Sequence, residues 1–211
     1  MSRYTGPVCR LCRREGTKLF LKGDKCYSAC TLEKGKHKAP PGMHGARRAK
    51  KPSEYARRLR EKQIAKRIAG LTEEQFRRYF RKAEIMQGLT GENLLRLLET
   101  RLDNVVKRLG FASSEAQARQ FVLHGHVQVN DHRVDVPSYA LQPGDRILIS
   151  EELRQTVPVQ QSIQTAQKRN PLPSWLESNH GQGTGKVKSW PSRDEISYPV
   201  DEQLIVELYS K

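Results

Sequence analysis

Four cysteines crowd into the first thirty residues, as Cys9-x-x-Cys12 and, after thirteen intervening residues, Cys26-x-x-x-Cys30. Two short-spaced pairs joined by a loop can bring four thiolates to one point. That is the donor set of tetrahedral structural zinc, with no position left open for a substrate. The expected cofactor is therefore Zn2+ on Cys9, Cys12, Cys26 and Cys30. Two disulfides would use the same residues, but no stretch reads as a secretory signal, and a basic intracellular chain sits among reducing thiols. An iron–sulfur cluster is the lesser alternative, since ferredoxin spacings differ from these. His37 and His44 could each replace a thiolate if the short Cys26 to Cys30 loop closes poorly, although their basic surroundings place both more naturally against phosphate. Few large aliphatic side chains occur in the first fifty residues, so hydrophobic burial cannot fold that segment by itself and the metal is expected to help.

The same region is the most cationic part of the chain. Residues 1 to 50 hold thirteen Lys or Arg against three Asp or Glu, residues 51 to 100 hold twelve against seven, and the rest balance, giving a total of +15. Such asymmetry is the footprint of a polyanion partner, because each phosphate neutralised releases counterions. A membrane surface is disfavoured: no apolar run approaches the roughly twenty residues needed to span a bilayer, and the basic segments lack a strongly hydrophobic opposite face. No glycine-rich phosphate loop, nucleophile elbow or metal-hydrolase motif points to a small-molecule substrate.

The elements that must position these cations can be read in order. From Lys34 to Lys51 the chain is rich in Lys, Arg, Pro and Gly, with Pro40-Pro41-Gly42 and His44-Gly45 opposing regular structure. An arm of this composition is disordered, a tolerated surface loop, or laid along RNA, and its charge favours the last. Ser53 opens a helix whose thin apolar side of Tyr55, Leu59 and Ile68 leaves Arg57, Arg58, Arg60, Lys62, Lys66 and Arg67 to face something charged. Thr72-Glu73-Glu74-Gln75 is a capping box for a further helix, with Phe76, Tyr79, Phe80, Ala83 and Met86 on its core side.

Beyond it, Leu94, Leu98, Leu102, Val105 and Leu109 form one apolar stripe along a helix stopped by Gly110. Ser113 and Ser114, with Gln117 in capping-box spacing, start a second helix that turns Ala118, Phe121 and Val122 inward and ends at Gly125. Val127 and Val129 then alternate as a strand, Asn130-Asp131 turns, Val134 and Val136 return, Pro143-Gly144 turns again, and Ile147 and Ile149 form another strand. Arg101, Lys107, Arg108, Arg119, His124, His126 and Arg133 decorate this unit, whose composition is nearly neutral. A short helix is expected near residues 158 to 168. Residues 171 to 185 read as loop, and the segment from Gln203 to Tyr209 reads as a strand or as a tail packed on the helices of residues 53 to 87.

The stretch RLDNVVKRLGFASSEAQARQFVLHGHVQVNDHRV resembles the RNA-binding module named after small-subunit ribosomal protein S-four, which also occurs in pseudouridine synthases, tyrosyl-tRNA synthetases and a heat-shock protein. SRYTGPVCRLCRREG at the start, PPGMHGARRAKKPSEYARRLREKQ in the arm and EQLIVELYS at the end extend the resemblance to nearly the whole chain, closest to the bacterial-type S-four family. The sequence departs from that pattern at two points: zinc-bearing relatives often carry one more residue between the last two cysteines, and the stretch from Asn170 to Gly185 matches nothing in the pattern, so the resemblance implies no contacts or shape for it.

The resemblance implies an α+β fold. Residues 1–45 would form the zinc knuckle and basic arm, 46–92 a helical rRNA-binding domain to which 170–211 return, and 93–169 an inserted S-four-type domain of helix-turn-helix and small antiparallel sheet. It implies a structural constituent of the ribosome, a primary binder of small-subunit rRNA that clamps a multi-helix junction of the 5′ domain, nucleates assembly, touches neighbouring ribosomal proteins and lies near messenger RNA. The location implied is the cytoplasmic small subunit, with an organellar ribosome as the alternative. Carried over by position, the RNA contacts would be Arg3, Arg10, Arg13, Arg14, Arg47, Arg48, Lys50, Lys51, Tyr55, Arg57, Arg58, Lys62 and Lys66, with Arg101, Arg108, Arg119, His124 and His126 in the module. Arg101-Leu102-Asp103 also resembles the tripeptide that holds the catalytic Asp of module-bearing pseudouridine synthases. Asp103 has no catalytic neighbours in sequence, however, and is expected on a helix surface or paired with Arg101 or Lys107. A regulatory RNA binder using the same surface is the remaining alternative.

Overall fold

The computed structural model describes residues 3–33, 39–45, 51–169 and 172–210. In chain order the elements are α1 (Cys9–Glu15), α2 (Lys25–Ser28), α3 (Glu54–Ile68), α4 (Glu73–Ile85), α5 (Thr90–Glu99), α6 (Leu102–Arg108), α7 (Glu115–Leu123), β1 (Val127–Val129), β2 (His132–Arg133), β3 (Arg146–Ile149), α8 (Glu151–Arg154), α9 (Val157–Arg169), β4 (Leu176–Asn179), β5 (Thr184–Val187) and α10 (Glu202–Tyr209). A 3-10 turn spans Arg193–Glu195. The chain divides into two compact units, unit 1 comprising Met1–Leu94 with Tyr198–Lys211 and unit 2 comprising Leu95–Ser197.

Unit 1 is helical. Ser53 caps α3 by accepting from the Ala56 N–H, and Thr72 caps α4 in a complete capping box with Gln75, as the sequence predicts. Phe76, Phe80 and Ala83 of α4 are buried, but Met86 falls just past the helix end and is 38% exposed, so it leaves the core face expected of it. The C-terminal segment is neither strand nor loose tail: Asp201 accepts from the Gln203 N–H and starts α10, which packs along α3. Its Tyr209 ring lies 4.4 Å from that of Phe80 and 6.4 Å from that of Phe76. β-Propensity in a run such as Leu-Ile-Val was overridden here by a cap and an apolar face to pack against.

Unit 2 places a five-stranded antiparallel sheet, in the order β2-β1-β3-β5-β4, with α6, α7 and α9 around one apolar core that includes Leu102, Val106, Phe111, Val122, Val127, Ile147, Val159 and Trp175. The continuous stripe from Leu94 to Leu109 belongs to two helices rather than one. At the break Arg101 is extended, the Leu102 N–H donates to the Tyr139 carbonyl, and the Leu141 N–H donates to the Thr100 carbonyl. A distant loop thus takes over the backbone bonds that a continuous helix would have made. Asn130 and Asp131 both adopt positive φ, the turn type that the Asn-Asp pair predicts, but the returning strand stops at Arg133 and leaves Val136 exposed.

The segment read as loop contributes β4 and β5, so the sheet gains two strands and the return to unit 1 begins only at Tyr198. Of the glycines that suggested loop, Gly183 takes a left-handed turn before β5 and Gly185 is a packing position within it. A Cβ at Gly185 would stand 2.4 Å from Leu109 Cδ1, so only glycine lets β5 lie against α6. Among the described residues no helix is long and apolar enough to cross a membrane.

Candidate nucleic-acid interface

α1 begins at Cys9 and carries Cys12 one turn on, so helical spacing puts both thiols on one side. Cys26 lies in α2, with Cys30 just beyond its end. None of the four is disulfide-bonded; Cys12 and Cys26 are buried, and Cys9 and Cys30 are half-buried. Burial pushes the Cys12 and Cys26 thiols up, and Cys9 and Cys30 add to the rise at both. The opposing influences are backbone donors, from Leu19 to Cys12 and from the Lys22 N–H to Cys26 Sγ at 3.3 Å, with the Lys18 charge also lowering Cys26. Cys12 and Cys26 thus each carry a backbone amide donor of the kind that favours thiolate. Among the described residues the four sulfurs do not close to the spacing of a metal-holding group.

The basic helix α3 does not present its cations as the sequence suggests. Arg60 Nη1 lies 3.1 Å from Glu15 Oε1, and Arg67 bonds the same oxygen of this fully buried carboxylate. Lys62 Nζ and Lys66 Nζ hold opposite oxygens of Glu73 at 2.6 and 2.9 Å. Arg58 Nε reaches Glu207 of α10 at 2.7 Å, with Glu54 a looser partner at 3.7 Å. Arg58, Lys62 and Lys66, expected to clamp RNA, are thus engaged with the chain's own carboxylates, because α1, α4 and α10 bring Glu15, Glu73 and Glu207 onto the basic side of α3. Lys51, Tyr55 and Arg57 stay exposed, as do Arg3, Arg10 and Arg14; Arg13 donates to the Ala39 carbonyl at 3.0 Å. Arg47, Arg48, Lys50 and His37 lie outside the described residues, and His44 is exposed.

The module divides its predicted contacts in two. Arg101 and Arg119 do not face outward. They are 3% and 7% exposed and converge on Asp103, Arg101 through Nε at 3.0 Å and Nη2 at 2.6 Å, Arg119 through Nη1 at 3.4 Å. Asp103 is itself buried rather than on a helix surface; of the two partners the sequence offers it pairs with Arg101, while Lys107 pairs with Glu115. Arg108 lies 2.6 Å from the buried Glu99. The other group gathers where α7 ends: the His124 and His126 rings are 6.3 Å apart, Arg133 Nη2 donates to the His124 carbonyl at 3.3 Å, and His126 Nδ1 lies 3.2 Å from Ser150 Oγ. The exposed His124 and Arg133 and the half-buried His126 form a small polar edge with the guanidinium of Arg133 as its cation.

Residues 3–99 match the family described as "Ribosomal protein S4/S9 N-terminal domain", and residues 100–147 match the "S4 domain". Over the full length of both chains, the sequence is 56% identical to the small ribosomal subunit protein uS4 of Natranaerobius thermophilus and 51% identical to that of Thermus thermophilus. The uS4 of Dictyoglomus turgidum is 56% identical, again from end to end. This chain belongs to the uS4 family. The boundary between the two matched regions falls at the break between α5 and α6, a few residues after the two units divide within α5 between Leu94 and Leu95. As a uS4 protein the chain is not an enzyme, and the Arg101-Leu102-Asp103 tripeptide serves as a buried ion pair at the start of α6.

The cations that sequence reading passed over lie on α4. Arg77, Arg78, Arg81 and Lys82 are all exposed, on the side opposite Phe76, Phe80 and Ala83. The signal was present as four basic residues at helical spacing, hidden because the aromatic side of the same helix drew the reading.

Proposed function

We propose that this chain is a structural, RNA-binding component of the small ribosomal subunit in the cytoplasm, holding folded rRNA mainly through unit 1. The observation that carries this reading is the charge division: unit 1 has twenty-five Lys or Arg against twelve Asp or Glu, +13 of the total +15, and unit 2 has thirteen against eleven. A protein domain with that surplus gains most by lying against phosphates. In this reading the exposed Arg3, Arg10, Arg14, Lys51, Tyr55 and Arg57 make such contact, and His124, His126 and Arg133 supply a second edge on the module. RNA in A-form hides its base edges, so recognition by these groups reads shape and backbone; a multi-helix junction of the 5′ domain is the class of target that suits an extended cationic surface. Early assembly, contact with neighbouring ribosomal proteins and closeness to the path of messenger RNA belong to the same reading.

We propose further that Cys9, Cys12, Cys26 and Cys30 hold Zn2+. What supports the reading is the donor chemistry: four free thiols in two short-spaced pairs, two of them buried, with amide donors on Cys12 and Cys26. Bound zinc would supply the folding energy that the sparse core of this segment, essentially Leu19 with Cys12 and Cys26, lacks. The test joins both parts. Binding to small-subunit rRNA and to a random duplex is measured at two salt concentrations, and metal content is measured on the purified chain. Strong preference for the rRNA is expected, with zinc present at one equivalent, and chelation is expected to raise hydrogen exchange in residues 1 to 50 while sparing unit 2. Equal affinity for both RNAs defeats the ribosomal reading, and unchanged exchange after chelation defeats the zinc reading.

A further inference from the structure

We propose that the exposed face of α4, formed by Arg77, Arg78, Arg81 and Lys82, is a phosphate-backbone contact of unit 1, taking the sugar–phosphate strand of structured RNA. The proposal rests on the rRNA-binding reading above and assigns it a surface. Spacing is the first observation. The four residues stand at i, i+1, i+4 and i+5, so they form two adjacent rows along the helix, with Cβ atoms about 5–6 Å apart between successive turns. All four are exposed, while the opposite side of the helix is sealed by Phe76, Phe80 and Ala83.

Pairing is the second observation. On α3, the cations Arg58, Arg60, Lys62, Lys66 and Arg67 each have a carboxylate of the chain within ion-pair distance. On α4, among the described residues, none of Arg77, Arg78, Arg81 and Lys82 has one, although Glu74 and Glu84 lie on the same helix within one turn of them. Like charges at i, i+4, here Arg77 with Arg81 and Arg78 with Lys82, weaken a helix slightly. A face that keeps four such charges together, without taking up the acids beside it, is suited to an anion from outside the chain. Three of the four are arginines, whose planar forks bond two phosphate oxygens at once and tolerate partial loss of water better than lysine.

The test replaces all four in the full-length chain, as Arg77→Gln, Arg78→Gln, Arg81→Gln and Lys82→Gln, and measures affinity for small-subunit rRNA across salt concentrations. Helix content and melting temperature are followed in parallel. Glutamine keeps helix propensity and removes like-charge repulsion, so folding is expected to be unchanged or slightly improved. If each side chain neutralises one phosphate, the slope of log affinity against log salt falls by about 3, taking ~0.7–0.9 per phosphate. A second variant, Arg77→Lys, Arg78→Lys and Arg81→Lys, keeps the charges and is expected to retain most of the slope. A quadruple variant that is folded and keeps the wild-type slope overturns the proposal, and so does a lysine variant that loses the slope, since that would mark a role other than charge. If the wild-type chain itself shows no preference for the rRNA, the underlying functional reading fails instead. Undiminished RNA binding together with lost capture of an acidic ribosomal protein would transfer the face to a protein partner and likewise overturn it.

Discussion

Unit 2 is organised around apolar burial, with Asp103, Arg101 and Arg119 enclosed and mutually satisfied, whereas unit 1 has a thinner core and is stitched together by carboxylates that each hold cations of α3. The difference teaches that a basic residue in a basic helix is not automatically a ligand contact. In unit 1, a handful of acids consume the very lysines and arginines that a sequence reading assigns to RNA, and the surplus appears elsewhere, on α4 and around α1. In unit 2, near-neutral composition conceals arginines that are wholly structural.

This contrast can be broken most severely from the side of unit 2. Asp103→Ala strands two buried guanidinium groups, and a destabilisation of about 3–5 kcal/mol in chemical unfolding is expected. RNA affinity per folded molecule should be little changed, which a titration at low denaturant would check. A smaller loss, about 1–3 kcal/mol, is expected from Glu15→Gln, because Arg60 and Arg67 then share a neutral oxygen in a site closed to water. The effect should be confined to unit 1, seen as faster hydrogen exchange in α1 and α3 with α6 and α7 unmoved.

Thr72→Ala removes a complete capping box and should lower stability by about 1 kcal/mol, read from the urea midpoint at constant m-value. The smallest effect concerns pH. Burial alone would push the Glu73 carboxyl up, but hydrogen bonds and charge from Lys62 and Lys66 outweigh it and hold the group at about 2, below its ordinary 4.5. A lowered folded-state value means that the stabilisation is whole above the ordinary value and is lost as pH falls toward the lowered one. Glu73 is 39% exposed, so solvent screening limits the gain to about 1 kcal/mol or less. Melting temperature should sag between pH 4.5 and 2, and Glu73→Gln should flatten that part of the curve. A sag of equal depth in the variant would show that other carboxylates dominate. The Tyr209 hydroxyl is pushed up by burial and by the Glu73 charge, so it stays a donor to Glu73 throughout this range.

Local chemistry was legible wherever neighbours in sequence decide the outcome. The capping residues Ser53, Thr72 and Ser114, the Asn130-Asp131 turn and the alternation of Val127 with Val129 all act within a few residues, and each stands where its type predicts. Even there one bond moved: Gln117 Oε1 accepts from the Ser113 N–H and hydroxyl instead of closing a box with Ser114. The paired cysteines and the cationic bias of the first hundred residues were equally visible, because they are matters of composition and spacing.

What only the tertiary structure decided is which partners arrive from far along the chain. Residues 139 to 141 split one apolar stripe into α5 and α6 by taking its backbone bonds. Leu109 packs on Gly185, within a strand that its glycines had marked as loop, and α3 drew the β-prone C-terminal segment into a helix. Glu207, 149 residues away from Arg58, claimed a guanidinium that by sequence belonged to RNA. A single sequence fixes the charge of each side chain, but whether that charge is spent inside the protein or offered to another molecule depends on contacts that no local pattern encodes.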